Sequence, residues 1–217
     1  MACCLGLLSI LTGQAVAVEY SASVLLGFNG GTGGQVGFQV GEFSFDHPLA
    51  VRFAVSYLRA FPGDAQKVYP IFRGESTTTA MDEKADIWNY RLDATYRFKN
   101  RSFSFLTVFG GARYSLFNGK FMPKNNQEDL EVTSNQWGLG AGVQGTYEFG
   151  KNTDLLIQAG LDYYFPSTLK SNGTSYSPNG NSTNPQNSST WDDANDAIEQ
   201  PSWEPLLMIG VSYRFGR

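Results

Sequence analysis

The apolar and polar positions of this chain fall into eight runs of strand character, at 20–28, 33–45, 49–61, 85–99, 102–122, 135–149, 153–165 and 203–215. In the fourth, Trp88, Tyr90, Leu92, Ala94, Tyr96 and Phe98 share one parity, and Asn89, Arg91, Asp93, Thr95 and Arg97 take the other. Such alternation sets one face of an extended strand in apolar surroundings and the other in polar ones. The sixth run repeats it: Trp137, Leu139, Ala141, Val143, Tyr147 and Phe149 oppose Gln136, Gln144, Thr146 and Glu148. The last alternates through Leu207, Ile209, Val211, Tyr213 and Phe215. The fifth breaks phase, with Phe103, Phe105 and Phe109 on one parity and Tyr114 and Leu116 on the other. That break predicts a β-bulge near Gly110-Gly111.

The connections divide by length. Tight turns are expected at 46–48, 100–101 and 150–152, and the other four connections are 29–32, 62–84, 123–134 and 166–202. An even number of strands, with short turns at one end and mostly longer loops at the other, is the layout of an up-and-down antiparallel barrel crossing a membrane. A soluble eight-stranded barrel of the lipocalin type is the competing architecture, and it points its apolar face inward around a ligand. Two features favour the membrane. The polar face gathers Arg52, Arg91, Asp93, Arg97, Glu148, Asp162 and Arg214, which can pair inside a lumen but would be scattered singly over a soluble surface. Aromatic residues collect near both strand ends. Trp88, Trp137, Tyr163 and Trp203 lie toward the long loops, and Tyr96, Phe98, Tyr147, Phe149, Tyr213 and Phe215 toward the short turns. Two belts suit the two membrane interfaces. A 14-residue strand rises about 46 Å, or about 35 Å along the axis at a tilt of about 40°, enough to cross an apolar band about 25 Å tall. The barrel must close, because no sheet edge can face hydrocarbon with unpaired amides.

The final strand, WEPLLMIGVSYRF, resembles the C-terminal strand of Gram-negative outer-membrane β-barrels, with Leu207, Ile209, Val211, Tyr213 and Phe215 as the assembly signal. The family pattern ends on the aromatic, whereas Gly216 and Arg217 follow Phe215 here. Strand count and pattern are similar to the small eight-stranded outer-membrane proteins: the OmpX-like and opacity-protein groups and the transmembrane part of OmpA. That resemblance covers nearly the whole of 18–217. It implies an outer-membrane scaffold displaying extracellular loops for surface interaction, adhesion or membrane integrity. Its implied partners are outer-membrane lipid and lipopolysaccharide, the barrel-assembly machinery, and an extracellular ligand held by the loops. A monomer is expected. Trp88, Trp137, Trp203, Tyr96 and Tyr147 are the expected interfacial anchors.

Composition narrows this further. Fourteen per cent aromatic residues and 24 glycines suit strands and tight turns. Mean hydropathy is negative and no 18-residue apolar stretch occurs, so a transmembrane helix is not expected. With a net charge of −4 and no basic stripe, nucleic acid is not an expected partner. Residues 1–17 read as a removable export signal, with a short apolar core at 5–11 and Ala15-Val16-Ala17 as the small-x-small cleavage pattern. No Lys or Arg precedes that core. Cys3 and Cys4, the only cysteines, would leave with it, so no disulfide, thiolate metal site or cofactor is expected.

Catalysis is disfavoured. His47 is the single histidine and stands beside Pro48 in a short turn at the periplasmic end, so no Ser-His-Asp constellation has a histidine to use. Asp93, Glu148 and Asp162 could line a conducting path or act as an acid–base pair. An eight-stranded lumen is only wide enough to be filled by side chains, which favours a plug of ion pairs over a narrow channel for ions or small hydrophobic solutes. Gly138, Gly140 and Gly142 fall on the same face and would leave room for long arginines. In the fourth long loop, 171–189 is dominated by Asn, Ser, Thr, Gly and Pro and is expected to be mobile. The Asn172, Asn181 and Asn187 glycosylation sequons there follow from that composition. The acidic run 191–196 lacks the EF-hand spacing and reads as a solvated loop rather than a Ca²⁺ site. Tyr69, Ile71 and Phe72 in the second long loop are candidates either to pack on the rim or to form an apolar patch.

Overall fold

A computed structural model describes residues 18–41, 48–74, 81–99, 102–124, 128–186 and 188–215. Eight long strands form the wall: β1 (Glu19–Asn29), β2 (Thr32–Gly41), β3 (Leu49–Ala60), β4 (Met81–Lys99), β5 (Phe105–Pro123), β6 (Leu130–Glu148), β7 (Thr153–Tyr164) and, last in the chain, β10 (Trp203–Phe215). Between β7 and β10 lie a hairpin, β8 (Leu169–Ser171) and β9 (Thr174–Tyr176), and helix α2 (Trp191–Ala197). Helix α1 (Ala65–Arg73) stands between β3 and β4. Neighbouring strands pair antiparallel around the ring, with β5 closing on β6 and β1 on β10. The closed ring leaves no open sheet edge in the wall, as hydrocarbon demands. The expected export signal with Cys3 and Cys4, His47, and the trailing Gly216 and Arg217 all lie outside the described residues.

Pairing between β4 and β5 runs without interruption from Met81↔Pro123 to Lys99↔Phe105, and β5 pairs as evenly with β6. The bulge expected near Gly110-Gly111 is therefore absent from both ladders. Because the strand keeps its phase, Phe109 turns into the lumen and is buried, while Tyr114 and Leu116 face outward. β4 and β6 are also longer than the alternation implied. β4 begins at Met81 rather than 85, and β6 at Leu130 rather than 135. Nineteen residues rise about 65 Å, or about 50 Å along the axis at a tilt of about 40°, whereas the eleven of β1 give only about 29 Å. The wall is thus tall at β4–β6 and low at β1–β2.

The outer half of the lumen is apolar. Leu58, Ile87, Phe117, Phe121, Leu130 and Val132 are buried there beside Val68, Tyr69 and Phe72 of α1 and Ala194 and Ala197 of α2. α1 buries positions 65, 68, 69 and 72, the single face of a helix. It starts at Asp64, whose carboxylate accepts from Gln66 N, and stops at Gly74 in the left-handed region (φ 72°). α2 begins with a capping box, Thr190 and Asp193 bonding reciprocally. The helices are tied by their flanking backbones: Asp64 N donates to Ala197 O (3.1 Å) and Glu199 N to Pro62 O (3.2 Å).

Candidate functional site

Period-two geometry brings long polar side chains from β3, β4, β5 and β7 to one level of the lumen. Asp93 of β4 sits opposite Arg52 of β3, and their side chains pair at 2.9 Å. Arg113 of β5 bridges the two buried carboxylates, with Nη1 on Asp93 Oδ1 and Nε on Asp162 Oδ1, each at 2.7 Å. Arg91 approaches Asp162 at 3.7 Å and donates to Gln35 Oε1 at 3.1 Å. Gln144 accepts from Arg52 (2.8 Å) and from Gln158 (2.9 Å), and Asn29 donates to Asp162 Oδ2 (3.1 Å). Three arginines thus face two aspartates. The ring of Phe109 offsets part of this excess, with the Arg52 and Arg91 guanidinium carbons 4.5 and 5.5 Å from its centroid.

The glycines of β6 make this layer possible. A Cβ on Gly140 would stand 1.9 Å from Asp162 Oδ1 and 2.6 Å from Arg113 Nε. Only a hydrogen at that position lets Arg113 cross to Asp162, and Gly142 gives way to Phe109 in the same manner.

The seven charges expected as one network separate into two groups. Arg52, Arg91, Asp93 and Asp162 join the central layer. Arg214 lies nearer the short turns, paired with Glu148 (2.9 Å) and Asp154 (3.0 Å). Arg97 is 3.8 Å from Glu19 and lies over the Phe105 ring at 5.1 Å. The reason is distance along the strand: Arg97 is four residues beyond Asp93, and strand rise carries it about 13 Å away. Sequence reasoning missed Arg113, the best-bonded cation of the lumen, because the assumed bulge left its face undefined. Thr107, Arg113 and Ser115 share one parity and mark the inward face of β5 without any bulge. Asp154 was missed as well, although it shares its face with Gln158 and Asp162.

The cap above the lumen corrects a second expectation. The stretch 171–189, expected to be mobile, contains most of the β8–β9 hairpin and a bridge between Ser175 and Thr183. Its anchor is Tyr176, fully buried, edge-on to Phe72 with ring centroids 5.2 Å apart. The Tyr176 hydroxyl donates to Ile71 O (2.5 Å) and accepts from Gln186 N (2.9 Å). One aromatic residue therefore orders a polar loop. Trp191 Nε1 donates to Ser167 O (2.9 Å), and Tyr69 Oη to Glu128 O (3.1 Å). Burial pushes the Tyr69 phenol up from its usual range. Tyr69 and Phe72 pack into the rim and form no exposed patch. The run 191–196, expected as a loop, is α2, and among the described residues no group of acidic, histidine or cysteine side chains is arranged to hold a metal ion.

Outside, the wall is apolar. Leu207, Ile209, Val211, Tyr213 and Phe215 all project outward and are exposed, as are Trp88, Trp137, Trp203, Tyr96 and Tyr147. Tyr57–Trp88, Tyr114–Trp137 and Tyr163–Trp203 ring pairs, with centroids 5.1, 4.8 and 4.6 Å apart, form a belt toward the cap. Tyr20–Phe38, Tyr96–Phe98 and Tyr213–Phe215 form the other.

No protein-family profile matches the chain, and no curated protein matches it in sequence. Solved structures do. A major outer membrane protein from Thermus thermophilus is similar at 26% identity over 92% of this chain and 100% of that one, with a TM-score of 0.75. Looser alignments reach the attachment invasion locus protein of Yersinia pestis (14% identity, 93% and 100% coverage, TM-score 0.45) and Acinetobacter baumannii CarO2 (11%, 93% and 100%, 0.47). With a closed wall, a charged layer across the lumen, an apolar exterior and the Thermus protein matched over its whole length, this chain is a small eight-stranded β-barrel of the outer membrane.

Proposed function

We propose that the protein is a non-enzymatic, non-conducting scaffold whose ordered extracellular cap makes surface contacts or supports membrane integrity. One observation carries this reading: Arg113, fully buried, spans the lumen between Asp93 and Asp162 at 2.7 Å each, directly beneath an apolar layer. Ions would have to break charge-assisted bonds and then cross an apolar layer of Phe117, Phe121 and Leu130. The channel reading meets both barriers. Function then moves to the cap, in keeping with rigid scaffolds that place recognition on their connections. The same reading makes the terminal strand the signal for the assembly machinery, the two aromatic belts the contact with lipid and lipopolysaccharide, and the folded protein a monomer without a cofactor.

Planar-bilayer recording of the refolded protein tests it. A silent bilayer with inserted protein is the expected result. Reproducible discrete openings in the unaltered protein would overturn the plug and move function into the lumen.

A further inference from the structure

On the tall side of the wall, β6 outruns its neighbour. β7 ends at Tyr164, opposite Gly138, and the chain then bonds once more, Phe165 N donating to Trp137 O (2.8 Å). The next pairing along this edge is Thr133↔Lys170, where β8 flanks β6. Between these two points the chains part, and Pro166, with no N–H to give, stands where they do. One slot of the ladder is skipped. Trp137 turns its backbone toward β7, and residues two apart on a strand repeat that direction, so Asn135 presents its N–H and C=O to the gap. Among the described residues neither group has a hydrogen-bond partner. Asn135 is exposed.

The gap is a cleft of about 410 Å³. Thr133, Asn135, Ser167, Thr168 and Asn179 give it hydroxyls and amides, and Lys170 is its only charged group. Among the described residues no carboxylate pairs with Lys170, and Glu131 on the adjoining stretch of β6 is engaged by Lys120 (3.6 Å). Asn135 stands two residues, about 7 Å of strand, beyond Trp137 of the aromatic belt. Belt rings mark the edge of the hydrocarbon, so the cleft lies at the level of lipid headgroups. Adjacent hydroxyls suit the skipped slot, one accepting from the N–H and the other donating to the C=O. Lys170 calls for an anion beside them.

We propose that this cleft binds the headgroup of an anionic outer-leaflet lipid carrying a vicinal diol, as a glycerol phosphate or an acidic sugar does. The inference rests on the lipid contact proposed above and gives that contact a specific site. Native mass spectrometry tests it, on the refolded protein released from micelles holding equal amounts of phosphatidylglycerol, phosphatidylserine and monogalactosyldiacylglycerol. The first lipid offers charge and diol, the second charge without the diol, and the third hydroxyls without charge. Phosphatidylglycerol should be retained on the order of tenfold over either, as one or two added hydrogen bonds imply. Lys170→Gln should lower it to the level of the galactolipid, whereas Lys124→Gln, an exposed cation paired with Asp82 (3.0 Å) outside the cleft, should leave it unchanged. Asn135→Pro deletes only the free N–H of an unpaired edge and should bring phosphatidylglycerol down to phosphatidylserine. Lys170 lies off the eight wall strands, so its variant remains informative if Asn135→Pro fails to refold. Equal retention of phosphatidylglycerol and phosphatidylserine by the unaltered protein, or equal losses in Lys124→Gln and Lys170→Gln, would overturn the site and leave a silent, plugged scaffold standing. Displacement of the lipid by soluble glycerol 1-phosphate as readily as by phosphatidylglycerol would overturn the lipid source and assign the cleft to a free polyol phosphate.

Discussion

Arg113 in the middle of the lumen and Tyr176 in the cap are both fully buried, and each is held by a different kind of interaction. Arg113 rests on two carboxylates and has almost no freedom to be replaced, because removing it breaks both 2.7 Å bonds and leaves Asp162 with only the 3.7 Å approach of Arg91 in a narrow lumen. Tyr176 rests on ring packing against Phe72, with its hydroxyl closing two loops together. The wall encloses the first region and was dictated by strand register. The second assembles from connections distant in sequence, 105 residues apart in the Tyr176–Ile71 bond. Charge specifies the middle of this barrel, and apolar burial specifies its lid.

Substitution separates the two. Arg113→Ala should cost about 3–5 kcal/mol, the usual penalty for breaking a buried pair from one side. It should appear as a lower urea midpoint for unfolding from lipid vesicles. Stability unchanged within about 0.5 kcal/mol would mean that the charged layer does not hold the lumen. Tyr176→Phe keeps the ring and removes the hydroxyl, leaving Ile71 O and Gln186 N without their partner. A cost of about 1–3 kcal/mol is expected, read as faster proteolysis of the cap with the barrel unfolding midpoint unmoved. If the barrel midpoint falls with it, cap and wall are one cooperative unit and the contrast between them fails.

Gly140→Ala acts on the wall alone. Its added methyl must displace either Asp162 or Arg113, at about 1–3 kcal/mol for an overpacked site, and the same urea titration reports it. The effect of acid on α2 is the weakest of these. The Thr190 backbone N–H (2.7 Å) and then its hydroxyl (2.8 Å) hold the Asp193 carboxyl below the usual carboxylate range. A depressed carboxylate contributes stability above its unfolded pKa, about 3.9 for Asp, and loses that contribution as pH falls through the lower folded value. Hydrogen exchange of α2 amides, corrected for intrinsic rate, should therefore be flat between about pH 7 and pH 5 and rise below about pH 4. A rise beginning near neutrality would assign the sensitivity to another group.

Much of the wall was readable in the sequence. Alternation in β4, β6 and β10 assigned Trp88, Trp137 and Leu207 to the exterior and Arg91, Asp93 and Gln144 to the lumen, because a period of two leaves a residue only two faces. The reading failed where an apolar residue sits on the polar face. Phe109 looked like a phase break, yet its ring is the partner of two guanidinium groups, and the error hid Arg113 four residues on. It failed again in the fourth long loop, where composition predicted mobility. Composition averages over residues, whereas order there rests on one tyrosine, Tyr176.

By itself the sequence determined the number of barrel strands, the inward and outward faces of those that alternate cleanly, the two aromatic belts and seven of the charges available inside, since each follows from parity along a single strand. Tertiary structure alone decided which charges meet, that Gly140 clears a path for Arg113, that α1 and the β8–β9 hairpin close the outer end, and that β6 and the chain after β7 part to leave a cleft at Asn135. Those features depend on axial height and on contacts between distant segments, and neither quantity is encoded in the alternation of any one strand.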